Sequence, residues 1–219
     1  MELINFDDFL YESQSSKFGN KSGKSRSGRL LSDEQEYSNN DVVKSDENIP
    51  SMLFTDVVGS SKFWSDDPIT MKAQLEQHFK SVDEIARKHD GFIIKTIGDA
   101  FMIYFRKSTK SLESAISCGK EIIKTEKLPL RLGICEGFME QKKYILQNAE
   151  LLDFFGNTVN TASRMESKIS KPGHIAFTST QGVDPKLLKT IGNYKELTGK
   201  ELPDLNGVKV KSAYLIKVK

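Results

Sequence analysis

A chain of 219 residues, 37% hydrophobic and 28% charged, has the composition of a folded globular protein with enough apolar material for a sizeable core. Its net charge of +2 is too small to point to a nucleic-acid or membrane partner. The two cysteines, Cys118 and Cys135, make no CxxC pair and no disulfide framework, and no apolar run approaches the roughly 18 residues of a membrane span.

Residues 1–49 differ from the rest. They hold nine serines, ten acids and six bases, a net −4 within a chain of +2. Such a segment buries too little surface to offset its ordering entropy and is expected to be largely disordered. A short apolar cluster, Leu3, Ile4, Phe6, Phe9, Leu10 and Tyr11, is the exception and suits a docking helix. The first 13 residues have acidic groups and no basic run, which argues against a secretory signal; a cytoplasmic location is expected.

The globular pattern covers residues 50–219. Met52 to Val58 reads as a buried strand closed by Gly59-Ser60-Ser61. An amphipathic helix follows from Pro68, with Met71, Leu75, Phe79, Val82 and Ile85 or Ala86 on one face, and His89-Asp90-Gly91 stops it. Two β-rich runs, Phe92 to Ile97 and Ala100 to Phe105, join at Gly98-Asp99 as a hairpin. A second helix places Leu112, Ile116, Ile122 and Ile123 inward, and Leu130 to Cys135 is a further strand. The order β-α-β-β-α-β predicts an α+β domain with a ferredoxin-like βαββαβ core. Beyond it the pattern predicts a helix at about 157–169, a strand near 174–178, a short helix near 180–189 and a terminal strand pair ending at Ile216. The three histidines, His78, His89 and His174, are scattered and read as helix-surface or loop residues rather than ligands.

Asp56 closes an apolar strand, where a charge is costly unless it is paired or binds a cation. Asp99 lies at the tip of the hairpin expected beside that strand, and no Lys or Arg stands obviously between the two. A divalent cation would relieve their repulsion, and Mg²⁺ favours one or two carboxylates plus substrate phosphates. On spacing alone, a turn-capping Asp56 and a turn-forming Asp99 fit equally well. The backbone N–H groups around Gly59 and Ser60 suit a triphosphate, although no GxxxxGK[ST] motif is present.

Three blocks carry a resemblance: Phe54-Thr55-Asp56-Val57-Val58-Gly59-Ser60-Ser61, Ile94-Lys95-Thr96-Ile97-Gly98-Asp99-Ala100-Phe101, and Phe155-Gly156-Asn157-Thr158-Val159-Asn160-Thr161-Ala162-Ser163-Arg164-Met165. In this order and spacing they resemble the class III adenylyl and guanylyl cyclases, over about residues 51–216. The resemblance implies a cyclase catalytic domain over 50–219 in which Asp56, Asp99 and the Val57 carbonyl bind two divalent ions, Mg²⁺ or Mn²⁺. Lys95 and Asp153 are then similar to the pair that reads the base, Asn160 to the residue that orients the ribose, and Arg164 to the one that stabilises the transition state. It further implies ATP as substrate, since guanylyl cyclases carry Glu where Lys95 stands, and a homodimer with shared active sites, since one chain holds both half-sets. A cyclase for GTP or a pyrimidine triphosphate, or a nucleotide-binding regulatory module, are the alternatives. Two features depart from the family. Asn206 falls where many relatives have a triphosphate-binding Lys, with Lys209 and Lys211 nearby, and residues 138–150, expected as a β-arm, lack Gly-rich character.

Overall fold

The structure, a computed structural model, describes residues 48–146 and 149–219. The expected disordered tail and its apolar cluster lie outside the described residues.

β1 (Ile49–Val57) is buried almost end to end and pairs with β3 (Ala100–Ser108) on one side and β4 (Leu130–Glu136) on the other, both antiparallel. β2 (Gly91–Ile97) closes a hairpin with β3, where Ile97 pairs with Ala100 and Gly98 takes φ +65°, the value a tight two-residue turn asks of its first position. β4 continues in parallel to β7 (His174–Ser179), and β9 (Ser212–Lys217) and β8 (Lys195–Thr198) complete a seven-stranded sheet in the order β2-β3-β1-β4-β7-β9-β8. Its first four strands have the ferredoxin-like order that the βαββαβ pattern predicts.

Strand alternation sorts the core into two faces. Leu53 and Val57, with Ile103, Leu132 and Ile134, pack against α2 (Pro68–Lys88) and α3 (Ser111–Thr125). The expected inward residues of α3 are all buried, as are Met71, Val82, Ile85 and Ala86 of α2, with Phe79 packed at the margin. His78 differs from expectation: it is fully buried in α2, donating or accepting at 2.9 Å with Glu126 and lying edge-on to Phe101. A helical position one residue before Phe79 faces the core here because Glu126, at the end of α3, supplies a polar partner.

The opposite face, carrying Met52, Phe54 and Asp56 of β1 and Arg131, Gly133 and Cys135 of β4, is covered by α4 (Asn157–Arg164). The helix continues without a break into a π-turn, Met165–Ile169, closed by the Ser170 N–H donating to the Met165 carbonyl at 2.9 Å. Two further short α-helices lie among the described residues. α1 (Ser60–Asp66) buries no residue and carries no apolar period to betray it, and α5 (Pro185–Ile191) starts at Pro185 with an Asp184 cap, later than expected. The expected β-arm is a separate two-stranded hairpin of β5 (Glu140–Leu146) and β6 (Ala149–Phe155). It is seated by Phe154 stacking on Tyr104 of β3, ring centroids 4.5 Å apart.

Candidate active site

Asp56 lies one residue from the end of β1, next to Thr55, whose hydroxyl accepts from the Phe101 N–H at 3.0 Å. That bond pins the β2–β3 turn, and with it Asp99, against the end of β1. Asp99 Oδ2 is buried and has no hydrogen-bond partner among the described residues. A buried carboxylate oxygen without a donor is what a cation site requires and what a plain turn residue does not explain. Val57 is buried in the same strand end, and Gly59, at φ +78°, turns the chain into the uncapped first turn of α1 at Ser60. The residues present therefore fit a divalent cation held by two carboxylates, with free N–H groups beside it.

One expectation is corrected. A cation does face Asp56: Arg131 stands directly opposite it in the β1–β4 register, its Nη2 2.8 Å from Asp56 Oδ2. Arg131 Nε lies 2.5 Å from Glu166 Oε1 in the π-turn, an ion contact by distance whose angle falls outside hydrogen-bond geometry. Burial pushes the Glu166 carboxyl above the usual carboxylate range, and Arg131 opposes that shift. Neither residue was singled out in the sequence. The signal for Arg131 was of the same kind that marked Asp56, a charge inside the apolar run Leu130 to Cys135, but its partner sits 75 positions away.

Lys95 and Asp153 are brought together. Lys95 Nζ donates to Asp153 Oδ2 across the gap between edge strand β2 and hairpin strand β6, and the other carboxylate oxygen accepts from the Phe154 N–H at 2.8 Å. Both remain open to solvent, with side chains 42% and 20% exposed, so the pair can receive a ligand edge. Asn160 and Arg164, one helical turn apart, share a face of α4, with Asn160 exposed and the Arg164 Nε buried without a hydrogen-bond partner among the described residues. No polar contact joins the Asp56–Asp99 set to Lys95, Asp153, Asn160 or Arg164 among the described residues.

A cleft of about 560 Å³ lies at the other end of β4, beside α4. Asn157 and Thr161 line it together with Lys209, Lys211 and Cys135, while Asn206 takes a left-handed turn at φ +54° outside it. Burial pushes the Cys135 thiol up to about 12, which leaves it protonated and inert.

Comparison with known proteins gives the geometry a context. Residues 42–216 match the model of the adenylate and guanylate cyclase catalytic domain. Receptor-type adenylate cyclase B of Leishmania donovani is 34% identical over 85 residues, covering 38% of this chain and 6% of that protein. Guanylate cyclase 32E of Drosophila melanogaster is 29% identical over 168 residues, 66% of this chain and 13% of that protein. The chain thus spans a small part of the length of these relatives. Among solved structures, the guanylate cyclase domain of RhGC from Catenaria anguillulae in complex with GTP aligns with a TM-score of 0.65 at 24% identity, over 78% of this chain and 97% of that one. The adenylyl cyclase CyaB of P. aeruginosa aligns at 0.64 with 20% identity, over 79% and 95%. These likenesses establish the fold, both nucleotide specificities occur among the relatives, and the match over most of the chain leads to one conclusion: the chain belongs to the adenylate and guanylate cyclase catalytic domain family.

Proposed function

We propose that the chain is an adenylyl cyclase, converting ATP to 3′,5′-cyclic AMP and pyrophosphate at two equivalent sites shared across a homodimer. The observation that carries the choice of base is the Lys95–Asp153 pair, a donor and an acceptor side by side and open to solvent. Adenine presents an acceptor at N1 and a donor amine at N6, which Lys95 and Asp153 match. Guanine reverses both, leaving polar groups unpaired at about 1–3 kcal/mol each.

The remaining roles follow the chemistry of each side chain. Two divalent cations, when bound, lower the pKa of the ribose 3′-OH and balance charge on the phosphates. Asp56 and Asp99 would hold them, with the Val57 carbonyl, and the donor-free Oδ2 of Asp99 supports this. Gly59 and Ser60 offer backbone N–H groups to the triphosphate. Asn160 orients the ribose, and Arg164 presents a planar cation where negative charge grows on the α-phosphate. Among the described residues these two sets make no polar contact, and a two-fold pairing would give each site one set from each subunit.

Incubation with Mn²⁺ and each of the four nucleoside triphosphates, with products identified by mass spectrometry, tests the reading. Cyclic AMP is expected as the main product, and Lys95→Glu is expected to lower ATP turnover by roughly 10- to 100-fold. Cyclic GMP or a cyclic pyrimidine nucleotide as main product would replace ATP as the substrate. No cyclic product from any of the four would leave a nucleotide-binding module.

A further inference from the structure

The cleft beside α4 has a chemistry of its own, and residues 208–211 form part of its lining. Their sequence alternates: Val208 and Val210 pack against the small core around Leu205 and Ala213, while Lys209 and Lys211 stay exposed. Both ends of this segment are fixed. The Asn206 N–H donates to Asp204 Oδ1 at 2.9 Å, and Asn206 and Gly207 turn the chain at φ +54° and +87°. At the far end Thr178 Oγ1 donates to the Ser212 carbonyl at 2.7 Å. The side chains of Asn157, Thr180 and Gln181 also line the cleft and have no hydrogen-bond partner among the described residues. Nor does either lysine have an ion-pair or hydrogen-bond partner there, and no acid among the described residues lines the cleft. Lys195, by contrast, faces Glu201 at 3.4 Å.

We propose that this cleft is a second ligand site, separate from the substrate residues, that takes a small organic phosphate at Lys209 and Lys211. Two lysines held on one short segment, with no anion beside them, repel each other, and a bound dianion removes that repulsion. A phosphate monoester carries about −1.5 to −2 charges at pH 7 and so matches two ammonium groups, whereas a single carboxylate leaves one unmatched. Asn157, Thr180 and Gln181 offer donors and acceptors to the rest of the molecule, and a volume of about 560 Å³ suits a ligand larger than a bare ion. The site stands apart from the substrate residues within the chain. Cys135, which lines it, pairs with Met52, whereas Asp56 pairs with Arg131 at the opposite end of β4. None of Asp56, Asp99, Lys95, Asp153, Asn160 and Arg164 lines the cleft.

Ribose 5-phosphate and inorganic phosphate, titrated in EDTA at fixed ionic strength and followed by phosphorus-31 NMR, test the site. Neither metal nor nucleotide enters that titration, so its result is independent of the proposed cyclase activity. Saturable binding is expected, with ribose 5-phosphate at least about threefold tighter than inorganic phosphate. The double variant Lys209→Met/Lys211→Met is expected to weaken ribose 5-phosphate binding at least about tenfold. Lys209→Arg/Lys211→Arg keeps both charges and is expected to stay within about threefold of the native protein, which separates lost charge from lost fold. No saturable binding, unchanged affinity in the methionine variant, or equal losses in both double variants overturn the proposal, and equal affinity for the two phosphates overturns an organic ligand. With Mn²⁺, 3′-deoxy-ATP lacks the attacking hydroxyl and reports the substrate residues without turnover. Its affinity is expected to change less than about twofold in the methionine variant, and a loss of about tenfold would put both lysines in the substrate site and overturn a separate one.

Discussion

At the scale of single residues, the cost of burying charge explains which side chains matter. Asp56, Arg131 and Glu166 form one chain of paired charges, and Lys95 meets Asp153. Glu136 is different, because no cation among the described residues faces it in an ion pair. It is half-buried at the end of β4, with Ser111 Oγ 3.4 Å away, and desolvation pushes its pKa up against weaker hydrogen-bond effects from Ser179 and Ser111. Its folded state therefore holds a proton more tightly than the unfolded chain, so stability falls as pH rises through the raised value. Glu136→Gln removes that loss. Urea unfolding should show the variant gaining on the native protein as pH rises above the ordinary carboxyl value of 4.5, and a gap that is constant with pH would rule out desolvation as the cause. Asp56 was legible in the sequence because a charge ends an apolar strand. Arg131 and His78 were not, because the groups that justify their burial come from distant elements.

At the scale of elements, α4 and its π-turn carry Asn160, Arg164 and Glu166, and their height above the sheet is set by one glycine. A Cβ at Gly133 would lie 2.0 Å from the Glu166 nitrogen and 2.4 Å from the Ala162 carbonyl oxygen, backbone atoms that cannot rotate away. Gly133→Ala is expected to destabilise the protein by about 1–3 kcal/mol through overpacking, read from the urea midpoint, and to cost activity by lifting α4. Unchanged stability would mean that the helix shifts freely. The long amphipathic helices and the Gly98-Asp99 hairpin were legible because they repeat a period or demand a particular turn residue. α1 was not, since a helix of seven residues that buries none of them leaves no apolar stripe. The pairing of β5 with β6 was legible only in outline, because its position depends on Phe154 finding Tyr104 across the fold.

At the scale of the whole molecule, the proposed site residues fall into two sets with no polar contact between them among the described residues. The carboxylates end β1 and the β2–β3 turn, while Asn160 and Arg164 ride on α4 and Lys95 pairs with Asp153 at the edge of the sheet. Neither composition nor periodicity carries that division; it is what the resemblance of the three motif blocks implies. A shared site makes a quantitative demand that a self-contained site does not. Asp56→Ala and Arg164→Ala should each be inactive alone. Mixed in equal amounts and allowed to exchange subunits, they should regain about a quarter of the native cyclic AMP formation, since random pairing makes half the dimers mixed and each of those has one intact site. Activity at that level supports a site built from Asp56 of one subunit and Arg164 of the other, whereas no recovery after subunit exchange has been verified would contradict it.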